Sequence, residues 1–281
     1  MNFAVFILSH KRADRVETYD TLRKGGYTGK IYVVVDNEDV QLKTYQERFP
    51  DDLLVFDKQT YIDKTETLET TKMKSSAVYA RNAIEQYARD FDIDVFGMFD
   101  DDIVSMRYRW VDGNKVRSLS VNGGLDLVFK YYGEYILNTG IACTSFPFTM
   151  FYVSGVHDLE RRITEYRHTY QIHIRNAHKP VEWIGIINHD TITQLLTMKE
   201  GYIWWSIPHI VFDAKPMNKE SGGLKEVYDA LKDLDMAFLA ILTCPDCCSI
   251  TTSNGERSTL QIKENKHTSY PMIVSQRYKK W

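Results

Sequence analysis

Over roughly the first third of the chain, continuous apolar runs alternate with segments of helical spacing. Phe3–Leu8 is an unbroken apolar run, the pattern of a strand buried on both faces. The polar stretch 10–15 opens a helix with Val16, Tyr19 and Leu22 on one side, and Gly25 and Gly26 end it. Residues 30–35 form a second buried strand closed by Asp36-Asn37, and Leu53–Phe56 a third, after the turn at Pro50-Asp51-Asp52. Ala77, Ala80, Ile84, Tyr87, Ala88 and Phe91 recur at helical intervals. A fourth strand, 95–99, runs directly into Asp100-Asp101-Asp102. This alternation predicts an α/β fold, a mostly parallel sheet flanked by helices. Ligands of such sheets bind at the carboxyl ends of the strands. Asp36 and the Asp triplet both fall on that edge.

The second half is less regular. Leu125, Val128, Phe129, Tyr132 and Ile136 predict a helix after Asn122-Gly123-Gly124. Residues 141–153 read as strand, and 184–187 as a short strand ending at Asn188-His189-Asp190. Ile192, Leu195 and Leu196 mark a helix ending at Gly201, and 202–212 reads as one strand. Leu224, Val227, Tyr228, Leu231, Leu234 and Phe238 form a later amphipathic pattern. With no repeat, low-complexity tract or clear linker, a single domain is expected.

Composition narrows the function classes. The chain has 281 residues, 43% hydrophobic and 26% charged, with a formal net charge of -3. That charge gives no support for non-specific nucleic-acid affinity, although cations can still gather on one face. The N-terminal apolar run is too short for a signal peptide, and no stretch is long and apolar enough to span a bilayer. A soluble, cytoplasmic protein is therefore expected. Cys143, Cys244, Cys247 and Cys248 do not resemble a secreted disulfide framework, and Cys244 and Cys247 lack a second pair for a structural zinc.

Three adjacent carboxylates after a buried strand repel one another, and a divalent cation relieves this. Mg²⁺ or Mn²⁺ prefers carboxylate, water and phosphate oxygens. A cation held by one or two of these groups and bridging a diphosphate would ease its departure. Asp-rich turns that merely cap helices are the common alternative; placement after the fourth strand favours the metal. No Gly-x-x-x-x-Gly-Lys-Ser/Thr loop is present, and no Gly-x-Gly-x-x-Gly follows the first strand. That strand instead ends in Ser9-His10-Lys11-Arg12, groups able to meet a base and diphosphate.

The series Phe3-Ala-Val-Phe-Ile-Leu-Ser-His-Lys-Arg12, Val33-Val-Val-Asp36, Ala80-Arg81-Asn82 and Met98-Phe-Asp-Asp-Asp-Ile103 resembles the nucleotide-sugar half of GT-A glycosyltransferases. Ile186-Ile-Asn-His-Asp190, Lys219-Glu-Ser-Gly-Gly223, Leu260-Gln-Ile-Lys-Glu-Asn265 and Tyr270-Pro-Met-Ile273 are similar to the TET-associated glycosyltransferases of phage DNA-modification systems. The resemblance implies a GT-A-like, Rossmann-type fold. Residues 1–110 would bind a nucleotide-sugar, a UDP-sugar being the expected donor, and 111–281 an acceptor.

The same resemblance implies the residue roles. Ser9, His10, Arg12, Asp36, Arg81, Asn82, Asp100 and Asp101 would contact the donor, with Lys219, Gly222 and Gly223 near its phosphates. Asp102, Asp100 and His267 would hold Mn²⁺ or Mg²⁺, and Asp190 would be the catalytic base. The implied acceptor is a 5-hydroxymethylpyrimidine in DNA, such as hydroxymethylcytosine.

Other readings stay open at this level. The acceptor of a GT-A transferase can also be a polysaccharide, a protein or a small molecule. A sugar nucleotidyltransferase would share the sheet but carry a Gly-rich first loop, and a nucleotide- or DNA-binding module would not need the intact triplet. Asp190 is equally placed to cap the helix running to Gly201. His209 lies within an expected strand, where a hydrogen-bonded core histidine is commoner than a ligand. Of Trp204 and Trp205, one is core and the other is free to stack on a sugar or base. Arg161, Arg162, Arg167 and His168, and the tail Arg277-Tyr-Lys-Lys-Trp281, are basic stretches more often solvated than bound.

Overall fold

The computed structural model describes residues 1–68, 76–149, 155–156, 159, 169–215, 233–252 and 260–264. From the N-terminus come β1 (Phe3–Leu8), α1 (Glu17–Lys24), β2 (Lys30–Asp36), α2 (Leu42–Arg48), β3 (Leu53–Phe56), α3 (Lys58–Lys64), α4 (Ala77–Asp90) and β4 (Val95–Asp100). Then follow β5 (Ile103–Asp112), β6 (Lys115–Ser120), α5 (Leu125–Thr139), β7 (Cys143–Ser145) and β8 (Ile172–Asn176). The described elements end with α6 (His189–Lys199), β9 (Trp204–Ser206), β10 (Ile210–Ala214), α7 (Asp233–Thr243), β11 (Cys248–Thr252) and β12 (Leu260–Glu264).

The main sheet has seven strands in the order β3-β2-β1-β4-β8-β7-β9. β1 pairs in parallel with β2 and β4, β2 with β3, and β7 with β9; only β8 runs against its neighbours. The strands are apolar on both faces because helices cover both. Phe6, Val34, Phe96 and Met98 join the core that includes Val78, Ala83 and Ile84 of α4 and Ile192 and Leu195 of α6. Val5, Ile7, Val33 and Phe99 join the core on the other face, with Leu22 of α1 and Phe129 of α5. That double coverage is why these segments read as continuous apolar runs rather than alternating ones. Leu8 pairs with both Val34 and Asp100, so β1, β2 and β4 end together.

A second sheet, β10-β5-β6, starts one residue beyond Asp102. Its β5–β6 hairpin was not foreseen, because Arg107, Arg109 and Arg117 interrupt the apolar alternation. Other expectations need correction. Residues 184–187 are not a strand. Gly185 has φ 96°, and the segment instead donates from Gly185 and Ile186 to the carbonyls of Glu66 and Thr67. The expected strand 202–212 is two strands in different sheets, β9 and β10, broken around Pro208, which has no amide hydrogen to continue a ladder. His209 therefore sits exposed in the turn, not in a strand. Within 141–149 only Cys143–Ser145 is strand. β8 was missed. Of the late amphipathic pattern, Leu234 and Phe238 lie in α7, and Leu224, Val227, Tyr228 and Leu231 lie outside the described residues. The basic stretches at 161–168 and 277–281 lie outside them too. Trp204 is fully buried, whereas Trp205 is partly exposed. All four cysteines are buried.

Polar groups also lie inside the core. Arg175 of β8 is 0% exposed and donates from Nε to Glu85 of α4 at 3.0 Å. Its other nitrogens donate to the carbonyls of Ala142 and Lys179, and its guanidinium lies over the Trp204 ring. Trp183 Nε1 donates to the same Glu85 oxygen at 3.3 Å. The network fastens α4 to β8 and the segment carrying Trp183. Removing one partner strands a buried charge. Glu85→Ala should therefore cost about 3–5 kcal/mol in denaturant unfolding, and the double change Glu85→Leu/Arg175→Met clearly less. A Glu85→Ala loss below about 1 kcal/mol would show that the pair is not electrostatically coupled.

Candidate active site

The turn after β4 is fastened by α1. Thr18 Oγ1 donates to the Asp100 carbonyl at 2.6 Å and accepts from the Ile103 amide, and the Thr18 amide donates to the Asp101 carbonyl. This grip splits the triplet into different environments. Asp101 turns inward and is 4% exposed. It accepts from Ser9 Oγ at 2.5 Å and from Arg12 Nη1 at 2.8 Å. The Tyr45 hydroxyl, 2.7 Å from Ser9 Oγ, accepts the Arg12 amide and completes the arrangement. Asp101 thus joins the ends of β1 and β4.

Asp100 and Asp102 are less well compensated. Asp102 has Arg12 Nη1 only at 3.8 Å, and its Oδ1 is buried with no hydrogen-bond partner among the described residues. Burial and the Asp101 charge push its pKa up to about 6 against the pull of Arg12. Asp100 Oδ1 accepts from Arg81 Nη2 at 3.3 Å. Burial pushes Asp100 up to about 8 despite Arg81, helped by the charges of Asp102, Asp190 and Asp101.

Arg81, on α4, is 1% exposed and reaches the same edge. Its Nη2 also lies 3.2 Å from Asp190 Oδ1, so one nitrogen serves two carboxylates. Asp190 stands in the first turn of α6, where the helix dipole favours a negative charge. The N-cap is Asn188 rather than Asp190, which corrects the capping alternative; Asn188 has φ 55°. His173 Nε2 and His189 Nε2 approach Asp190 Oδ1 at 3.6 and 3.8 Å. Burial holds both imidazoles neutral, His189 down at about 4. Gly185 lets the chain turn into α6, since a Cβ there would lie 3.1 Å from the Ile187 carbonyl oxygen.

A second polar group lies at the ends of β1 and β2. His10 Nδ1 is 3.0 Å from Asp36 Oδ2 and 3.3 Å from Asp39 Oδ2. Lys58 Nζ donates to Asp36 Oδ1 at 3.2 Å, and the Lys11 and Gln41 amides donate to Asp39. Against the cost of its burial, the two carboxylates raise His10, while His10 and its neighbours lower both acids. These are the only three metal-type side chains among the described residues whose ligand atoms lie within 4.8 Å of one another. Lys58 and His10, whose charged form the two carboxylates favour, already offset these acids, so a cation has less left to neutralise there.

The other expected residues divide. Asn82 is spent on the backbone: its amide donates to the Trp183 carbonyl and Thr65, and its carbonyl accepts the Trp183 amide at 2.8 Å. Lys219, Gly222, Gly223 and His267 lie outside the described residues. Sequence reasoning passed over Asp39, Tyr45, Lys58, His173 and Trp183. For His173 a signal existed: Ile172-His173-Ile174-Arg175 puts polar groups into a strand with an apolar setting.

The family model of the TET-associated glycosyltransferases matches residues 3–223. Among solved structures, S. aureus TarS 1-349 in complex with UDP-GlcNAc is similar at a TM-score of 0.50 and 14% identity, over 88% of this chain and 66% of that one. Glucosyl-3-phosphoglycerate synthase from Mycobacterium tuberculosis, in complex with Mn²⁺, UDP-glucose and phosphoglyceric acid, aligns at a TM-score of 0.48 and 9% identity, over 97% and 90%. No curated protein matches the chain. The architecture is that of the GT-A glycosyltransferases.

The raised acids have a consequence for stability. Between the ordinary carboxylate range and about 6 for Asp102 or about 8 for Asp100, the folded chain holds protons that the unfolded chain has released. The folded state then binds more protons, so this contribution to stability falls as pH rises through that window. Without metal, the thermal midpoint of Asp100→Asn/Asp102→Asn should drop less between about pH 5 and about pH 8 than that of the wild type. Equal drops would mean that these two acids are not strained by their surroundings.

Proposed function

This chain belongs to the TET-associated glycosyltransferase family, and we propose that it transfers a sugar from a UDP-sugar to the hydroxyl of a 5-hydroxymethylpyrimidine base in phage DNA. It is a glycosyltransferase; the donor, the acceptor and the residue roles are our reading. The observation that carries this reading is the pair Asp100 and Asp102, under-compensated at the sheet edge and tied through Arg81 to Asp190.

Asp102 and Asp100 fit a divalent cation. Asp102 Oδ1 is a buried acceptor without a donor among the described residues, and both acids are ones that added positive charge would relieve. Two carboxylates, with phosphate and water oxygens, are a normal set for Mg²⁺ or Mn²⁺. When bound, the cation neutralises the departing diphosphate. His267 is the further ligand that we assign to it.

The protein's own groups do the rest. Ser9, His10, Arg12 and Asp36 line the donor side, with Asp101 as the brace that holds Arg12 toward it. Lys219, Gly222 and Gly223 are assigned to the donor's phosphates. Asp190 takes the proton of the acceptor hydroxyl while that oxygen bonds to the anomeric carbon and the nucleoside diphosphate leaves. A UDP-sugar is the donor class held in the TarS complex.

The hairpin leaving Asp102 supports a nucleic-acid acceptor. It carries Arg107, Arg109, Lys115 and Arg117 against one acid, Asp112, and exposes Trp110 and Leu119. Cations with aromatics suit phosphates and unstacked bases. A base in duplex DNA would have to leave the stack, at about a few kcal/mol. No helix among the described residues is long and apolar enough to cross a membrane; a phage-encoded chain would act in the host cytoplasm.

Incubation with Mn²⁺, a panel of UDP-sugars and hydroxymethylated DNA, followed by digestion and mass spectrometry of the nucleosides, should reveal a glycosylated base. Asp102→Ala should lower transfer by at least about 100-fold without lowering the thermal midpoint. Transfer only to other acceptors would overturn the DNA half of the reading, and near-normal activity of Asp102→Ala would overturn the metal site.

A further inference from the structure

The guanidinium of Arg81 is enclosed by protein groups. Nη1 lies 3.0 Å from His173 Nδ1 and 3.4 Å from the Met98 sulfur. Nη2 lies 3.3 Å from Asp100 Oδ1 and 3.2 Å from Asp190 Oδ1. The planar group sits 4.9 Å over the Trp183 ring. Nε has no acceptor among the described residues but is itself buried, so little of the group is open to a nucleotide. We infer that Arg81 is a positioning residue rather than a donor contact: it sets the Asp190 carboxylate in place by tethering it to Asp100. This rests on the reading of Asp190 as the base.

The supports of Arg81 are themselves fixed. His173 Nε2 is 3.3 Å from the Thr169 carbonyl, which can only accept. The ring proton therefore sits on Nε2 and leaves Nδ1 to receive Arg81. Trp183 packs edge-on against His173, at 5.0 Å between centroids. Asn82 clamps the Trp183 backbone from both sides, and Glu85 accepts the indole N–H. Arg81, Asn82 and Glu85 all belong to α4, so one helix carries both the tether and the clamp that holds the tether's aromatic floor. Asp100 belongs to β4 and Asp190 to α6. The donor-side strand and the acceptor-side helix both place a carboxylate against this side chain. An arginine suits the task because Nη2 can lie between two carboxylates while Nη1 meets His173 and the planar group stacks on a ring; a lysine offers one point charge.

The test separates positioning from donor binding. Full-length wild type, Arg81→Lys, Asp190→Asn and the double variant would be assayed with Mn²⁺ and the UDP-sugar that the wild type turns over. Binding of Mn²⁺ with UDP would be followed by calorimetry. Arg81→Lys should lower kcat by about 100-fold, as misplacing a reacting group by about 1 Å does, with donor KM and Mn²⁺–UDP affinity within about threefold of wild type. The double variant should be no slower than Asp190→Asn alone, because both changes disable one unit. His173→Phe, which keeps Arg81 and removes its Nδ1 partner, should show the same signature with about a tenfold loss, and it decides the matter if Arg81→Lys does not fold. Weaker Mn²⁺–UDP binding matching the lost kcat/KM, or losses that multiply in the double variant, would overturn the inference and leave the transferase reading standing. A wild type that transfers nothing to any acceptor would overturn both.

Discussion

The site is governed by the repulsion of carboxylates gathered where little water reaches them. Asp100, Asp101, Asp102 and Asp190 converge on one sheet edge, and the described cations within 4 Å of them are Arg12 and Arg81, with Lys215 acting on Asp102 from farther away. Arg12 spends its best contact on Asp101. Arg81 divides one nitrogen between Asp100 and Asp190. The remainder is uncompensated, and Asp100 and Asp102 answer by holding protons far above the usual carboxylate range. A chain selected only for stability would not keep such a cluster, since each partly buried and poorly paired acid works against folding. Strain of this kind is what a site that receives positive charge with its ligand looks like beforehand.

The fold delivers this concentration through topology. Parallel strands end on the same side, so the last residues of β1, β2 and β4 become neighbours although 92 positions separate Leu8 from Asp100. The reversed strand β8 then brings His173 beside β4, paired with Met98, and so places a neutral imidazole under Arg81. α4 crosses the same face and supplies Arg81, Asn82 and Glu85. Two buried arginines, Arg81 and Arg175, stack on Trp183 and Trp204, whose rings in turn meet edge to face at 5.9 Å. The aromatic pair is thus a common floor for a structural ion pair and for the site, so packing in the core is felt at the carboxylates.

How much of this the sequence carried depends on the range of the interaction. The first four strands, α1 and α4 were legible because parallel strands covered on both faces are apolar without interruption. The Asp triplet was legible for the same reason, since it interrupts such a run at its end. The hairpin β5–β6 and strand β8 were not, because they mix Arg and His with apolar residues and so imitate loops. The split of 202–212 turns on Pro208, a local signal that an apolar pattern such as Trp204-Trp205 easily masks. Residues 184–187 failed for the opposite reason: they are apolar because they are buried, and being buried does not require being a strand. Partners were least legible of all. Nothing local tells that Arg81 lies between two acids, because Asp190 lies far along the chain.

Two acidic clusters occupy this edge, and comparing them shows why one is assigned chemistry and the other recognition. His10, Asp36 and Asp39 approach one another more closely than Asp100 and Asp102 need to, and by proximity alone they form the better cage. Charge reverses that ranking. His10 sits between the two acids with its pKa raised, Lys58 reaches Asp36, and backbone amides complete Asp39, so both carboxylates are stabilised as anions. A cation entering there would have to displace His10 and compete with Lys58. At Asp102 it would meet an acceptor that has no donor among the described residues. The distance between ligand atoms says where a metal could be held; the unmet charge says where its binding would lower the free energy. On that criterion the balanced cluster is suited to present fixed polar groups to a nucleoside, and the unbalanced one to take up the charge of a metal and a diphosphate.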